Sequence, residues 1–136
     1  HLPEIVQELG GLTDTNLNVT FLTHLIPMTR GILSSCYAPL KAPYDKTDTD
    51  VRDLYQEFYK DSPFVQITDH PPQTKQTLGN NNCLVFPTID KRTNRLIVIS
   101  CIDNLVKGAA GMAVQNMNVM LGWPEDLALK TLAVYP

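Results

Sequence analysis

The chain has 136 residues, of which 43% are hydrophobic and 18% charged, with a formal net charge of -3. That length fits one domain able to bury about 68% of its unfolded surface. The balance is that of a soluble globular protein, and it lacks the strongly basic face that a nucleic-acid partner would want. No apolar run approaches the roughly 20 residues needed to cross a bilayer, so neither a nucleic acid nor a membrane is expected as a partner.

In chain order, residues 3–9 read as a short helix, with Pro3 early, acids in the first turns and Gly10-Gly11 as a stop. Residues 17–25 are rich in strand formers (Val19, Thr20, Phe21, Leu22) and predict a first strand, and residues 31–40 predict a second. Thr47-Asp48-Thr49-Asp50 opens a helix, because Thr47 or Asp48 can cap it and Val51, Leu54, Tyr55 and Phe58 fall on one face. Asp61-Ser62-Pro63 ends that helix. A short strand over residues 64–68 and a polar, proline-bearing loop to about residue 82 follow.

Residues 83–89 and 95–102 predict two strands joined as a hairpin through Asp90-Lys91-Arg92-Thr93-Asn94, with Pro87 marking an edge position or a bulge. Residues 108–121 predict a last helix, closed by Gly122 and Pro124 and apolar nearly all round, as for a helix covered on both sides. This order of elements predicts an α+β fold with a mixed, mostly antiparallel sheet and helices on one face. The chain opens on His1 with neither an initiator Met nor a secretory signal, so a preceding segment is expected.

Ser34-Ser35-Cys36-Tyr37 invites a nucleophile reading, but a reactive thiol wants a helix N-terminus or a nearby cation. Cys36 sits mid-strand, with Pro39 and Pro43 discouraging a helix after it, so a buried structural thiol is expected there and at Cys83 and Cys101. His1, His24 and His70 have no metal-ligand spacing, and no metal is expected. Gly108 and Gly111 suggest close helix packing, while Lys107 just ahead of the helix start suits an anion.

Four stretches, HLPEIVQEL (residues 1–9), THLIPMTRGIL (23–33), PQTKQTLGNNNC (72–83) and RLIVISCIDNLVKGAAGMAVQNMNVMLGWPE (95–125), together resemble N-acetyl-gamma-glutamyl-phosphate reductases. The resemblance runs on to the terminal Ala133-Val134-Tyr135-Pro136. Lys75-Gln76-Thr77-Leu78 departs from it where the family often carries His and Arg, and Thr23 stands where a Pro is usual. The resemblance implies an NADPH-dependent, arginine-pathway reduction of N-acetyl-gamma-glutamyl phosphate to an aldehyde with release of phosphate, in a cytoplasmic enzyme (organellar in a eukaryote).

It further implies a glyceraldehyde-3-phosphate dehydrogenase-like second domain. Residues 1–136 would be its later part, a substrate-binding and dimerisation domain of a homodimer or homotetramer, with the NADP-binding Rossmann portion upstream. The family's nucleophilic Cys, in an N-P-G-C-Y type motif, is absent from this sequence, so the chain alone should not turn over. His1, in the His-x-P-E-I context, is implied as acid/base partner of that thiolate. His24, Arg30 and Lys75 are implied as contacts for substrate carboxylate or phosphate, and Asn104 as the residue that orients the nicotinamide amide. Gln115, Asn116 and Asn118 are expected to face the cofactor domain with their amides partly exposed. The alternatives are a non-catalytic dimerisation or interaction domain, or a related aldehyde-forming dehydrogenase acting on another acyl phosphate.

Overall fold

The computed structural model describes residues 1–15, 17–41 and 45–134. Pro43, Tyr135 and Pro136, on which two of the sequence expectations fall, lie outside the described residues. The elements are α1 (Leu2–Gly10), β1 (Ile32–Pro39), α2 (Asp48–Phe58), β2 (Val65–Ile67), a 3-10 turn (Thr74–Thr77), β3 (Cys83–Asp90), β4 (Arg95–Ile102), a π turn (Val106–Ala110) and α3 (Gly111–Met120). The four strands form one sheet in the order β1-β4-β3-β2. β1 and β3 each pair antiparallel with β4, and β2 pairs parallel with β3. The mixed, mostly antiparallel sheet of an α+β fold is therefore present.

Local chemistry explains the clear elements. Thr47 and Asp50 form a reciprocal capping box at the start of α2: Asp50 N–H donates to Thr47 Oγ1, and Thr47 N–H donates to Asp50 Oδ2. The placement of Pro87 follows from where β2 stops. β2 pairs only with Cys83, Leu84 and Val85. The N–H groups of Cys83 and Ile89 point to that side of β3, toward the Phe64 carbonyl and the Asp48 carboxylate respectively. By the two-residue period the Pro87 nitrogen faces the same side, beyond the end of β2, so its missing N–H costs no ladder bond. Pro87 is thus locally at an edge, as its sequence context suggests.

Two expectations need correction. Residues 17–25 form no strand: they run irregularly with Leu22 and Leu25 on the surface, because strand propensity supplies no pairing partner. Cys36 is exposed rather than buried, since β1 is the edge of the described sheet and all eight of its residues are accessible.

Leu96 of β4 lies with Ile89 against Leu54 and Tyr55 of α2, and Gly108 in the π turn rests against Ile102 and Ile32. Leu96 and Ile102 share a face of β4 by the strand period, so α2 and the entry to α3 cover the same side of the sheet. The opposite side is crossed by the loop before β3, where the Cys101 thiol meets the Pro72 carbonyl. The apolar core is small, comprising Val51, Phe64, Leu84, Val85, Cys101 and Leu129. Thr77, Asn80, Asn81, Asp103 and Asn118 are buried beside it. The accessible surface is 9963 Å², against about 7,100 Å² for a compact monomer of 15.2 kDa. Met117, Val119, Met120 and Leu121 on and after α3 contribute to that excess.

Candidate functional site

The end of β4 delivers a buried acid. Asp103 follows Ile102 directly, and its side chain is 0% exposed. Its Oδ1 accepts from the N–H groups of Leu105 (2.8 Å) and Val106 (3.0 Å), which fixes the start of the π turn. Its Oδ2 accepts from the N–H of Gly79 (2.7 Å) and from Arg30 Nη2 (2.5 Å). Burial alone would raise the Asp103 pKa, but the three backbone N–H donors and the Arg30 guanidinium outweigh it and hold the carboxyl below its ordinary value. The group is therefore a buried carboxylate with charge-assisted partners on both oxygens.

The neighbouring residue completes a clamp. Asn104 Oδ1 accepts from the N–H of Gly31 at 2.7 Å, so Asp103-Asn104 grips Arg30-Gly31 across 73 residues of sequence. Gly31 has φ +98°, a left-handed conformation open to glycine at no steric cost, and a Cβ there would sit 2.8 Å from Thr74 Cβ. Thr74 also reaches Met28 through its hydroxyl. Lys75, exposed on the same 3-10 turn, is thereby carried next to the Arg30 segment.

Of the residues singled out in the sequence, Arg30 and Asn104 are joined through the Arg30-Gly31 segment, and Lys75 follows Thr74, which packs on Gly31. His24 is exposed in the irregular segment between α1 and β1, and no described contact joins it to the cluster. His1 is the N-cap residue of α1, with Nδ1 3.3 Å from Glu4 Oε2 and its ring edge-on to Phe21 at 6.3 Å. It too stands apart from the Asp103 clamp among the described contacts.

A second polar network was not legible as a site. Gln115 Oε1 accepts from Asn81 Nδ2 (3.0 Å) and Lys107 Nζ (2.7 Å), while its Nε2 donates to Glu125 Oε1 (2.5 Å). Asn118 Nδ2 donates to the carbonyls of Glu125 and Leu127 and ties the segment after α3 back to the helix. Gln115 is half-buried and Asn116 exposed, while Asn118 is buried and used inside the chain, which corrects the expectation of a partly exposed amide there. Burial lowers the Lys107 pKa, and its ammonium lies 5.4 Å from the Phe64 ring centroid. Cys36 Sγ lies 3.8 Å from Ser34 Oγ, an exposed pair with no cation within its described hydrogen bonds.

Among the described residues no three His, Cys, Asp or Glu side chains are grouped to hold a metal, and no helix is long and apolar enough to cross a membrane.

Comparison with known proteins adds the following. Residues 1–104 match the family model for the semialdehyde dehydrogenase dimerisation domain. The whole chain aligns with proteins called N-acetyl-gamma-glutamyl-phosphate reductase: 59% identical in Dehalococcoides mccartyi, 51% in Synechocystis sp. and 48% in Pelotomaculum thermopropionicum. The chain spans about 40% of the length of these relatives. Among solved structures, aspartate semialdehyde dehydrogenase II from Vibrio cholerae superposes on 71% of this chain and 29% of its own, with a TM-score of 0.55 and 22% identity, which is a likeness of fold.

Proposed function

The chain belongs to the semialdehyde dehydrogenase dimerisation-domain family, and we propose that residues 1–136 supply the substrate-binding and dimerisation part of an NADP-dependent N-acetyl-gamma-glutamyl-phosphate reductase. The observation that carries this reading is the 59% identity, over the whole chain, to the Dehalococcoides mccartyi protein of that name. The joining of Arg30 and Asn104 through one clamp supports it, and so does the excess of accessible surface, which a cofactor-binding portion and a second copy would cover. On this reading the enzyme is a cytoplasmic homodimer or a larger homo-oligomer.

In the reaction a thiolate from outside this chain attacks the acyl carbon, a C–S bond forms, and the C–O bond to phosphate breaks. NADPH, when bound, supplies the hydride that takes the thioester to the aldehyde level. The residues of this chain bind and move protons. The Arg30 guanidinium and the Lys75 ammonium hold oxyanion groups of the substrate, the first by directional N–H donors and the second as a point charge. His24, which no described contact joins to that cluster, is assigned to the substrate on the resemblance alone. His1, exposed at the N-terminus of α1, gives its proton to the substrate oxygen as the hydride adds and takes it back as the C–S bond breaks, so that aldehyde and thiolate are released.

For the cofactor, the chain offers a fit at the nicotinamide end only. Asn104 Oδ1 is engaged by Gly31, so Nδ2 is the atom that would donate to a carboxamide oxygen. No glycine-rich dinucleotide fingerprint occurs in the sequence.

The test is a chimera in which this chain replaces the matching 40% of the Dehalococcoides mccartyi relative. Phosphate-dependent reduction of NADP by N-acetylglutamate semialdehyde is expected. A folded, dimeric chimera without that activity would overturn the reading in favour of a non-catalytic dimerisation module. Activity confined to another semialdehyde would overturn the substrate assignment.

A further inference from the structure

We propose that Asp103 is a positioning residue of the anion site: by holding one end of the Arg30 guanidinium from behind, it aims the remaining donors at an oxyanion group of the ligand. The proposal rests on the reading of Arg30 as a ligand contact, and it assigns a role to a residue that contacts no substrate itself.

The stoichiometry of the hydrogen bonds carries it. A carboxylate facing an arginine ordinarily takes two parallel N–H···O bonds, which uses up one whole edge of the guanidinium. Asp103 cannot do this, because Oδ1 is committed to Leu105 and Val106 and Oδ2 is shared between Gly79 and Arg30. The grip on Arg30 is therefore single-point, through Nη2.

A guanidinium has five N–H donors, so four remain, and Arg30 Nε is buried with no partner. The side chain is 36% exposed, so its outer nitrogens are reachable.

Charge points the same way. Three backbone N–H dipoles already compensate the Asp103 carboxylate, so the arginine is oriented without being neutralised. The clamp of Gly31 by Asn104 and the packing of Thr74 against Gly31 remove the backbone freedom by which Arg30 could swing away. The ligand chemistry is that of a carboxylate or a phosphate, two groups that N-acetyl-gamma-glutamyl phosphate carries together.

The experiment is a double-mutant cycle in the chimera, reading dissociation constants for inorganic phosphate and, separately, for N-acetylglutamate. Asp103→Asn keeps the shape but replaces an acceptor, and it is expected to weaken at least one probe by about tenfold or more. If Asp103 acts through Arg30, the same substitution made on Arg30→Ala adds no further loss. Additive losses, or unchanged binding in folded Asp103→Asn, would overturn the proposal, and the probe that is weakened identifies which ligand group Arg30 holds.

Should Asp103→Asn fail to fold, the unsubstituted chimera still decides. A guanidinium held from behind shows separate, slowly rotating Nη–H resonances for Arg30 before any ligand is added, whereas averaged resonances overturn the proposal. Binding is read without turnover. A chimera that binds anions through this cycle yet reduces no NADP would therefore sink the reductase reading and leave the positioning role standing.

Discussion

The side-chain oxygen of Asn81 rests against the backbone of Gly111, so closely that a methyl group on that glycine would overlap it. The same methyl would lie 2.8 Å from both the carbonyl oxygen and the Cγ1 of Val106. Gly111→Ala is therefore expected to destabilise the chain by about 2–3 kcal/mol, through overpacking and disturbance of the buried amide. Gly108→Ala, whose nearest neighbour would be the Asp103 carbonyl at 3.2 Å, should be within about 1 kcal/mol of the parent, because the helical preference of Ala over Gly offsets the tight contact. Urea midpoints of the two variants check this, and equal losses would refute the assignment of Gly111 to close packing.

Thr47 closes the first turn of α2, and Thr47→Ala should cost about 1 kcal/mol. Asp48→Ala removes the acceptor that satisfies both the Thr88 hydroxyl and the Ile89 N–H beyond the end of β2. It should cost about 1–3 kcal/mol, because a β3 donor loses its partner. Were Asp48→Ala as stable as the parent, the carboxylate would not be the group that substitutes for the missing strand.

Burial pushes the Cys101 thiol up to about 11 from its ordinary 9.0, with the neighbouring Cys83 adding to it. The folded chain holds this proton more tightly than the unfolded one. The stabilisation is full below the unfolded value and is lost as pH rises from about 9 toward 11. Unfolding midpoints should fall across that window, and Cys101→Ala should flatten part of the fall. In the folded chain a thiol reagent should reach the exposed Cys36 and spare Cys101 until unfolding.

Asp103 has the opposite sign. Its folded pKa lies below the ordinary 3.8, so its contribution is complete above that value and disappears as pH drops through it into the more acidic range. Stability should decline on acidification below about pH 4, and far-UV circular dichroism against pH would show it. A chain indifferent to pH there would mean the carboxylate is not ionised in the fold.

In the chimera, His1→Asn should cut turnover by about 10²- to 10⁴-fold, the scale of a lost general acid or base, with anion binding intact. Near-parental turnover would remove His1 from the chemistry.

What was legible in the sequence was local. A cap at Thr47 or Asp48 and the turn-linked strands on either side of residues 91–94 announce themselves within a few residues, and Thr47 is the cap that formed; of the apolar stripe on α2 only Val51 is buried, with Leu54 and Phe58 exposed. Pro87 could be placed at an edge because one missing N–H constrains where a strand may sit.

The failures are non-local. Residues 17–25 have the composition of a strand, but composition does not say whether a neighbour with free N–H and C=O groups exists. Cys36 looks like core until β1 turns out to be the outer strand. Asn118 looks like part of an exposed polar stripe because its partner, the segment after α3, is set by the fold. Asp103 was visible only as an acid closing an apolar strand. That signal could have suggested a cap for the following turn, but the link to Arg30 and Gly79 could not be read from spacing.

Arg30 and Asp103 are 73 residues apart, and Thr131, whose hydroxyl holds the Gly79 carbonyl, is 52 residues from its partner. Closing such loops costs chain entropy before any contact is gained, whereas the hairpin of β3 and β4 closes over a handful of residues. The clamp is thus assembled late as the chain folds, on a sheet already in place. Because Gly31 and Gly79 lie in loops outside the strand ladder, their amide protons should exchange with solvent before those at the centre of β4. A ligand that bridges the clamp would slow that exchange without touching the sheet.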